Sequence, residues 1–133
     1  MNLPIKLRSA GALAGFALIL STSGIAEAAN FAGSWAVAGT MRNGATTAPV
    51  CVFRQVGNKV AGTCKGPSGI GSAAGVVSGS AIVWRWNRIA TARIQVNGIV
   101  IYKGVWGAAG LRGTWTDSAS PGYVGTFSAR KVR

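Results

Sequence analysis

From about residue 30 onward the chain divides into short runs of alternating apolar and polar residues separated by two-residue turn signals, a punctuation that leaves antiparallel β-structure as its natural fold. Val50–Val56 and Lys59–Cys64 flank Gly57-Asn58, Gly75–Val77 and Ser80–Trp86 flank Ser78-Gly79, and Ala92–Val96 and Ile99–Lys103 flank Asn97-Gly98. Such pairs suit the tight turns whose twist matches that of the strands they join, and Asn-Gly is the strongest of these signals. Gly107–Gly110 and the Asp117–Gly122 stretch, which contains Pro121, supply the last turns. Gly66–Gly71 is glycine-rich but lacks the Gly-Lys-Ser/Thr of a phosphate loop, and reads as a plain connection. No segment carries a 3.6-residue apolar period. The expectation is an all-β, antiparallel up-and-down meander of eight to nine strands. Its even spacing favours closure into a small barrel, which leaves no free edge; a β-sandwich is the alternative.

The two cysteines fall on either side of one predicted turn. Folding about Gly57-Asn58 sets Val56 against Lys59, Gln55 against Val60 and Cys51 against Cys64, on a pair where side chains lie close. A Cys51–Cys64 bridge is therefore expected, in keeping with an oxidising compartment. There is no Cys-x-x-Cys and no histidine to make the pair a redox or metal site.

The compartment is read from the N-terminus. Lys6 and Arg8 precede a short apolar run, Gly11–Leu20, and Ala26-Glu27-Ala28 places small residues where a signal peptidase reads them. Residues 1–28 are expected to be a removable leader and 29–133 a single domain, secreted or periplasmic. The apolar run is shorter than the ~20 residues that span a bilayer, so no integral membrane span is expected once the leader is gone.

Composition narrows the chemistry. Fourteen Lys and Arg stand against two acids, with no histidine, for a formal net charge of +12. Glu27 lies in the leader, which leaves Asp117 as the one carboxylate of the remainder. General acid/base pairs, Ser-His-Asp relays, two-carboxylate glycosidases and oxygen- or nitrogen-ligated metal sites all need groups this chain lacks. No cofactor is implied and a non-enzymatic protein is expected. Asp117 itself reads as a turn residue beside Ser118, capping backbone amides, so that Asp117→Asn is expected to leave the protein's role intact.

A short motif recurs: Phe31-Ala32-Gly33-Ser34-Trp35, Val60-Ala61-Gly62-Thr63-Cys64, Leu111-Arg112-Gly113-Thr114-Trp115 and Tyr123-Val124-Gly125-Thr126-Phe127. Glycine two positions before a large side chain leaves room for a neighbouring ring over bare backbone, or for sharp coiling of the sheet. Period-2 parity turns Trp35, Val37, Ile82, Trp84, Trp86, Leu111, Trp115, Tyr123 and Phe127 inward, and Arg54, Lys59, Lys65, Arg85, Arg112 and Arg130 outward. The expected interior is aromatic and uncharged, the exterior cationic.

Gly33-Ser34-Trp35, Trp84-Arg85-Trp86-Asn87, Tyr102-Lys103-Gly104, Arg112-Gly113-Thr114-Trp115 and Gly125-Thr126-Phe127 resemble the strand order of avidin and streptavidin within the wider lipocalin-like, calycin-type barrels. The pattern is similar too to small exported β-barrel proteins of Gram-negative bacteria. The resemblance implies a closed barrel able to hold a ligand. Biotin binding is not implied: where avidins place Asn and Ser after the first Trp, this chain has Val37 and Met41, and nothing after Asp117 is acidic.

Three function classes follow. An aromatic-lined interior with Trp84, Trp86, Tyr102 and Trp115 as walls suits a small neutral or apolar ligand. A cationic exterior carrying Arg54, Arg85 and Arg112 suits acidic polymers of the cell envelope; nucleic acid is disfavoured, because neither an RNA-binding aromatic signature nor a basic helix is present. A small disulfide-bearing barrel also suits an exported protease or lysozyme inhibitor.

Overall fold

Alternation and tight turns carry the chain through nine strands in a computed structural model that describes residues 29–89, 97–119 and 124–132. They are β1 (Gly33–Met41), β2 (Thr46–Thr47), β3 (Val50–Val56), β4 (Lys59–Gly66), β5 (Gly69–Ser78), β6 (Ala81–Arg88), β7 (Gly98–Gly107), β8 (Gly110–Asp117) and β9 (Val124–Lys131). The long strands pair antiparallel in sequence order. β9 then returns to β1, from Gly125 opposite Met41 to Lys131 opposite Trp35, and closes an eight-stranded up-and-down barrel. The two-residue β2 is an addition beside Gly39 and Thr40 of β1. Among the described residues there is no helix.

The β3–β4 hairpin has the register expected of a turn at Gly57-Asn58: Val56 faces Lys59, Gln55 faces Val60, and Cys51 faces Cys64. The two cysteines are bonded and fully buried, with their Cα atoms 4.0 Å apart. Three other turns need correction. Ser78 pairs with Ala81, so the tight turn is Gly79-Ser80, one residue later than the sequence suggested, with Gly79 in the left-handed region at φ 58°. The 66–71 connection is only Pro67-Ser68, because Gly66 pairs with Gly69 and β5 begins there.

The largest correction concerns Asn97-Gly98. Gly98 pairs with Arg88 and opens β7, and Ile99–Lys103 has β6 on one edge and β8 on the other. No edge of that segment remains for Ala92–Val96, which itself lies outside the described residues, as do the leader and Tyr123. Asn-Gly is a local preference, whereas the pairing of Ile99–Lys103 is settled by the strands on either side.

Inward parity holds for every described residue to which it was assigned: Trp35, Val37, Ile82, Trp84, Trp86, Leu111, Trp115 and Phe127 are buried, and all six outward cations are exposed. The motif glycines explain how so small a sheet coils shut. A β-carbon at Gly62, Gly113 or Gly125 would fall 1.7–1.9 Å from a carbonyl oxygen of the adjacent strand. Close backbone approach is thus the main use of these glycines. The overlying ring occurs at Gly125, where the Trp115 Nε1 lies 2.9 Å from the place a β-carbon would take.

Residues preceding β1 close one end of the barrel. The Ala29 amide donates to the Gly79 carbonyl, and Gln55 both accepts from the Phe31 amide at 2.7 Å and donates to the Ala29 carbonyl at 2.9 Å. Phe31 is thereby held against Trp35, whose indole N–H donates to the Phe31 carbonyl, while Trp106 meets Trp35 edge-on.

Because the bridge ties β3 to β4 in the unfolded chain as well, replacing both cysteines with alanine is expected to cost roughly 3 kcal/mol in the chain-entropy account. Urea unfolding of the oxidised protein and of the Cys51→Ala/Cys64→Ala variant measures it, as a lower midpoint for the variant.

Candidate functional site

Of the four aromatic residues singled out as walls of an interior pocket, the sheet brings three into register, and Trp86 lies on the same inward face of β6 two residues from Trp84. Trp84, Tyr102 and Trp115 occupy one cross-strand row on β6, β7 and β8. Trp84 stacks on Tyr102 with centroids 4.5 Å apart, and meets Phe53 and Phe127 edge-on, both at 5.5 Å. Tyr102 and Phe127 meet at 5.2 Å. Since Phe53 and Phe127 come from β3 and β9, rings from several sides of the barrel converge at this level, as expected where eight strands leave an interior about wide enough for side chains. The Trp115 N–H donates to the Thr126 carbonyl at 3.0 Å. The Trp84 and Trp86 N–H groups, both buried, meet no acceptor among the described residues.

Beyond this level, towards the end of the barrel formed by the close of β6 and β8 and the start of β7, the interior is charged, contrary to the sequence expectation. Among the described residues Arg88 and Asp117 are the buried charged ones, at 6% and 7% exposure. Arg88 Nη1 donates to Asp117 Oδ2 in an ion pair. Arg88 ends β6 and Asp117 ends β8, so the pair spans β7, and it does so over Gly98. A β-carbon there would lie 2.5 Å from Asp117 Oδ1 and 2.6 Å from Arg88 Nη2. On the other side the Arg88 stem lies against Gly69, where a β-carbon would fall 2.6 Å from its Cγ. Gly98 is therefore a bare strip of strand beneath a salt bridge rather than half of a hairpin turn. Asp117 keeps part of its expected role, since its Oδ1 accepts from the Ala119 amide at 2.9 Å. Next to it, Ser118 ties the end of β8 to β7: its Oγ accepts from the Ile99 amide at 2.8 Å and its own amide donates to the Ile99 carbonyl.

The neighbouring phenol of Tyr102 feels both its surroundings and this pair. Burial pushes its pKa far above the ordinary tyrosine value, and the Asp117 carboxylate pushes the same way, against an opposite pull from Arg88.

Burying Asp117 changes the outside as well. The exposed charged residues among those described are Arg42, Arg54, Lys59, Lys65, Arg85, Lys103, Arg112, Arg130 and Lys131, without a carboxylate among them. Arg54 and Arg85 lie at one level, separated by Ala61 and Ala74 across three strand spacings, about 14 Å. Arg112 is elsewhere on the wall, opposite Ser128 of β9. The three arginines named from sequence thus do not form one cluster. The same outer wall also exposes apolar side chains, among them Val52, Val56, Ile70, Val76, Val83 and Val105. Among the described residues no helix is long and apolar enough to cross a membrane, and no three of His, Cys, Asp and Glu gather to hold a metal ion.

Comparison with protein-family models, with curated proteins and with solved structures finds nothing that matches this chain. The functional reading therefore rests on the geometry above.

Two measurements follow from the buried pair. Asp117→Asn removes the buried carboxylate that Arg88 pairs with and is expected to destabilise the fold by about 3–5 kcal/mol, whereas Arg88→Met with Asp117→Leu recovers most of that loss; denaturant unfolding of the two variants compares them. For Tyr102 the folded-state pKa is raised, so its contribution to stability is complete below the unfolded value of about 10 and is lost as pH rises past it. The wild-type protein is expected to lose more stability between about pH 9 and 11 than Tyr102→Phe, measured by urea midpoints across that range.

Proposed function

We propose that this is an exported, non-enzymatic binding protein whose outer wall takes polyanions of the cell envelope. The carrying observation is the sign of the exposed charge. Surfaces that are basic only for solubility ordinarily intersperse both signs, whereas here the one carboxylate among the described residues is turned inward against Arg88 and the exposed charges are all cationic. Such a wall attracts any acidic polymer at long range and gains free energy by releasing the polymer's counterions. The leader-like N-terminus and the disulfide support export. The stacking of Trp84 on Tyr102, with Phe53 and Phe127 against it, weighs against a large ligand at that level of the interior.

A second reading keeps a small molecule inside the barrel, and one observation favours it. The Trp84 and Trp86 indole donors, buried without an acceptor among the described residues, suit a ligand that presents hydrogen-bond acceptors. Salt separates the two readings. Affinity of the purified protein for an acidic polymer such as polygalacturonate is expected to fall by about tenfold or more between about 50 mM and 200 mM salt, with little change in tryptophan fluorescence. Salt-independent binding of an uncharged molecule, accompanied by a fluorescence shift, would instead establish the interior reading.

A further inference from the structure

The cationic wall is not uniform. Two adjoining concavities of about 470 Å³ and about 380 Å³ lie on the outer face of β1, β8 and β9, and share Ala38, Arg112 and Ser128. Their floor is low because the outward residues there are small: Ala36 and Ala38 on β1 and Ser128 on β9, which faces Ala38 on one side and Arg112 on the other. Arg130, two residues beyond Ser128, lines the second concavity. Arg112 and Arg130 are diagonal neighbours across one strand pair, a separation of about 7–8 Å. Beside them runs a row of hydroxyls. Thr114, Thr126, Thr40 and Thr46 face one another in turn across β8, β9, β1 and β2, one strand spacing apart, and Lys103 of β7 ends the row opposite Thr114.

We infer that this groove is the binding site of an acidic polysaccharide, lying across the strands with its anionic groups on Arg112 and Arg130 and its hydroxyls on the threonine row. The inference rests on the polyanion reading above and gives it a place and a ligand class. Guanidinium groups hold carboxylate or sulfate through paired N–H donors. Threonine and serine hydroxyls both donate and accept, which matches the hydroxyls of a sugar ring. An extended chain of pyranoses also repeats on much the same scale as neighbouring strands. Other polyanions fit less well. Among the described residues no exposed aromatic side chain lines the groove for nucleobases to stack on, and a flat anionic bilayer has no means of entering a concavity floored by alanine.

The test compares two variants that each lose two positive charges. Arg112→Gln/Arg130→Gln removes the groove's cations; Lys59→Gln/Arg85→Gln removes two from β4 and β6, which flank β5 on the far side of the barrel from β9. With the full protein and polygalacturonate at fixed low salt, the first is expected to weaken binding about tenfold or more and the second by less than about threefold. In addition, Thr40→Val/Thr126→Val, which keeps shape and charge, is expected to weaken binding of polygalacturonate and of dextran sulfate while leaving that of inorganic polyphosphate unchanged. Equal losses in the two charge variants would overturn the groove while leaving polyanion binding by the wall intact. Indifference of both sugar polymers to the threonine changes would overturn the polysaccharide assignment, as would tighter binding to single-stranded DNA or to anionic phospholipid vesicles. Failure of the wild-type protein to bind any of these polymers would instead refute the polyanion reading itself.

Discussion

Closure of the sheet, β9 hydrogen-bonded back onto β1, is the constraint on which the rest of this structure depends. It leaves the eight long strands without a free edge, and it requires a sheet of short strands to coil hard. The coiling has a local cause. At Gly62, Gly113 and Gly125 the adjacent strand's carbonyl stands where a β-carbon would be, so a residue with a side chain at any of them would force the strands apart. The recurrent Gly-Ser/Thr pattern is the trace of that requirement in the sequence.

Closure also sorts the side chains. Once the inward set is fixed, the interior must be filled by residues of alternate parity, and aromatic rings of β1, β3, β6, β7 and β9 do so in direct contact with one another or with Phe31, while Trp115 of β8 lies buried beside them. Towards the end where β6 and β8 finish, the same parity carries a cation and an anion inward. Arg88 and Asp117 meet across β7 because Gly98 offers no side chain to separate them. The pair matters twice: its two charges offset each other inside, and its carboxylate is withdrawn from the exposed charges, which are cationic among the described residues. Interior packing and exterior electrostatics are thus linked through one residue, Asp117.

Parity made most of this legible in advance. The β3–β4 register and the Cys51–Cys64 bridge follow from a two-residue turn and a count of residues, and the inward aromatics and outward cations follow from period-2 alternation. Misreadings arose where a local preference met a non-local demand. Gly98 follows an asparagine and so resembles a turn residue, but the demand it satisfies comes from β6 and β8. Asp117 stands before a serine and near a proline and so resembles a loop cap, although its parity with Leu111 and Trp115 already marked it as inward. For Arg88 the signal was present too, since it shares parity with Ile82, Trp84 and Trp86, but the expected strand, Ser80–Trp86, stopped two residues short of it. The groove on β1, β8 and β9 could not be read at all, because Arg112, Ser128 and Ala38 become neighbours only when the first and last strands join.

The sequence by itself determined the strand class, the hairpin of the cysteines, the face on which most side chains fall and the shortage of groups for acid–base chemistry, since each depends on residue type and short-range spacing. Tertiary structure alone decided that Arg88 reaches Asp117, that Gly98 is the space between them, and that the hydroxyl row and two arginines share one concave wall. These depend on contacts between strands far apart in the chain, and a closed barrel fixes them through its register and coiling, which alternation along a single strand does not encode.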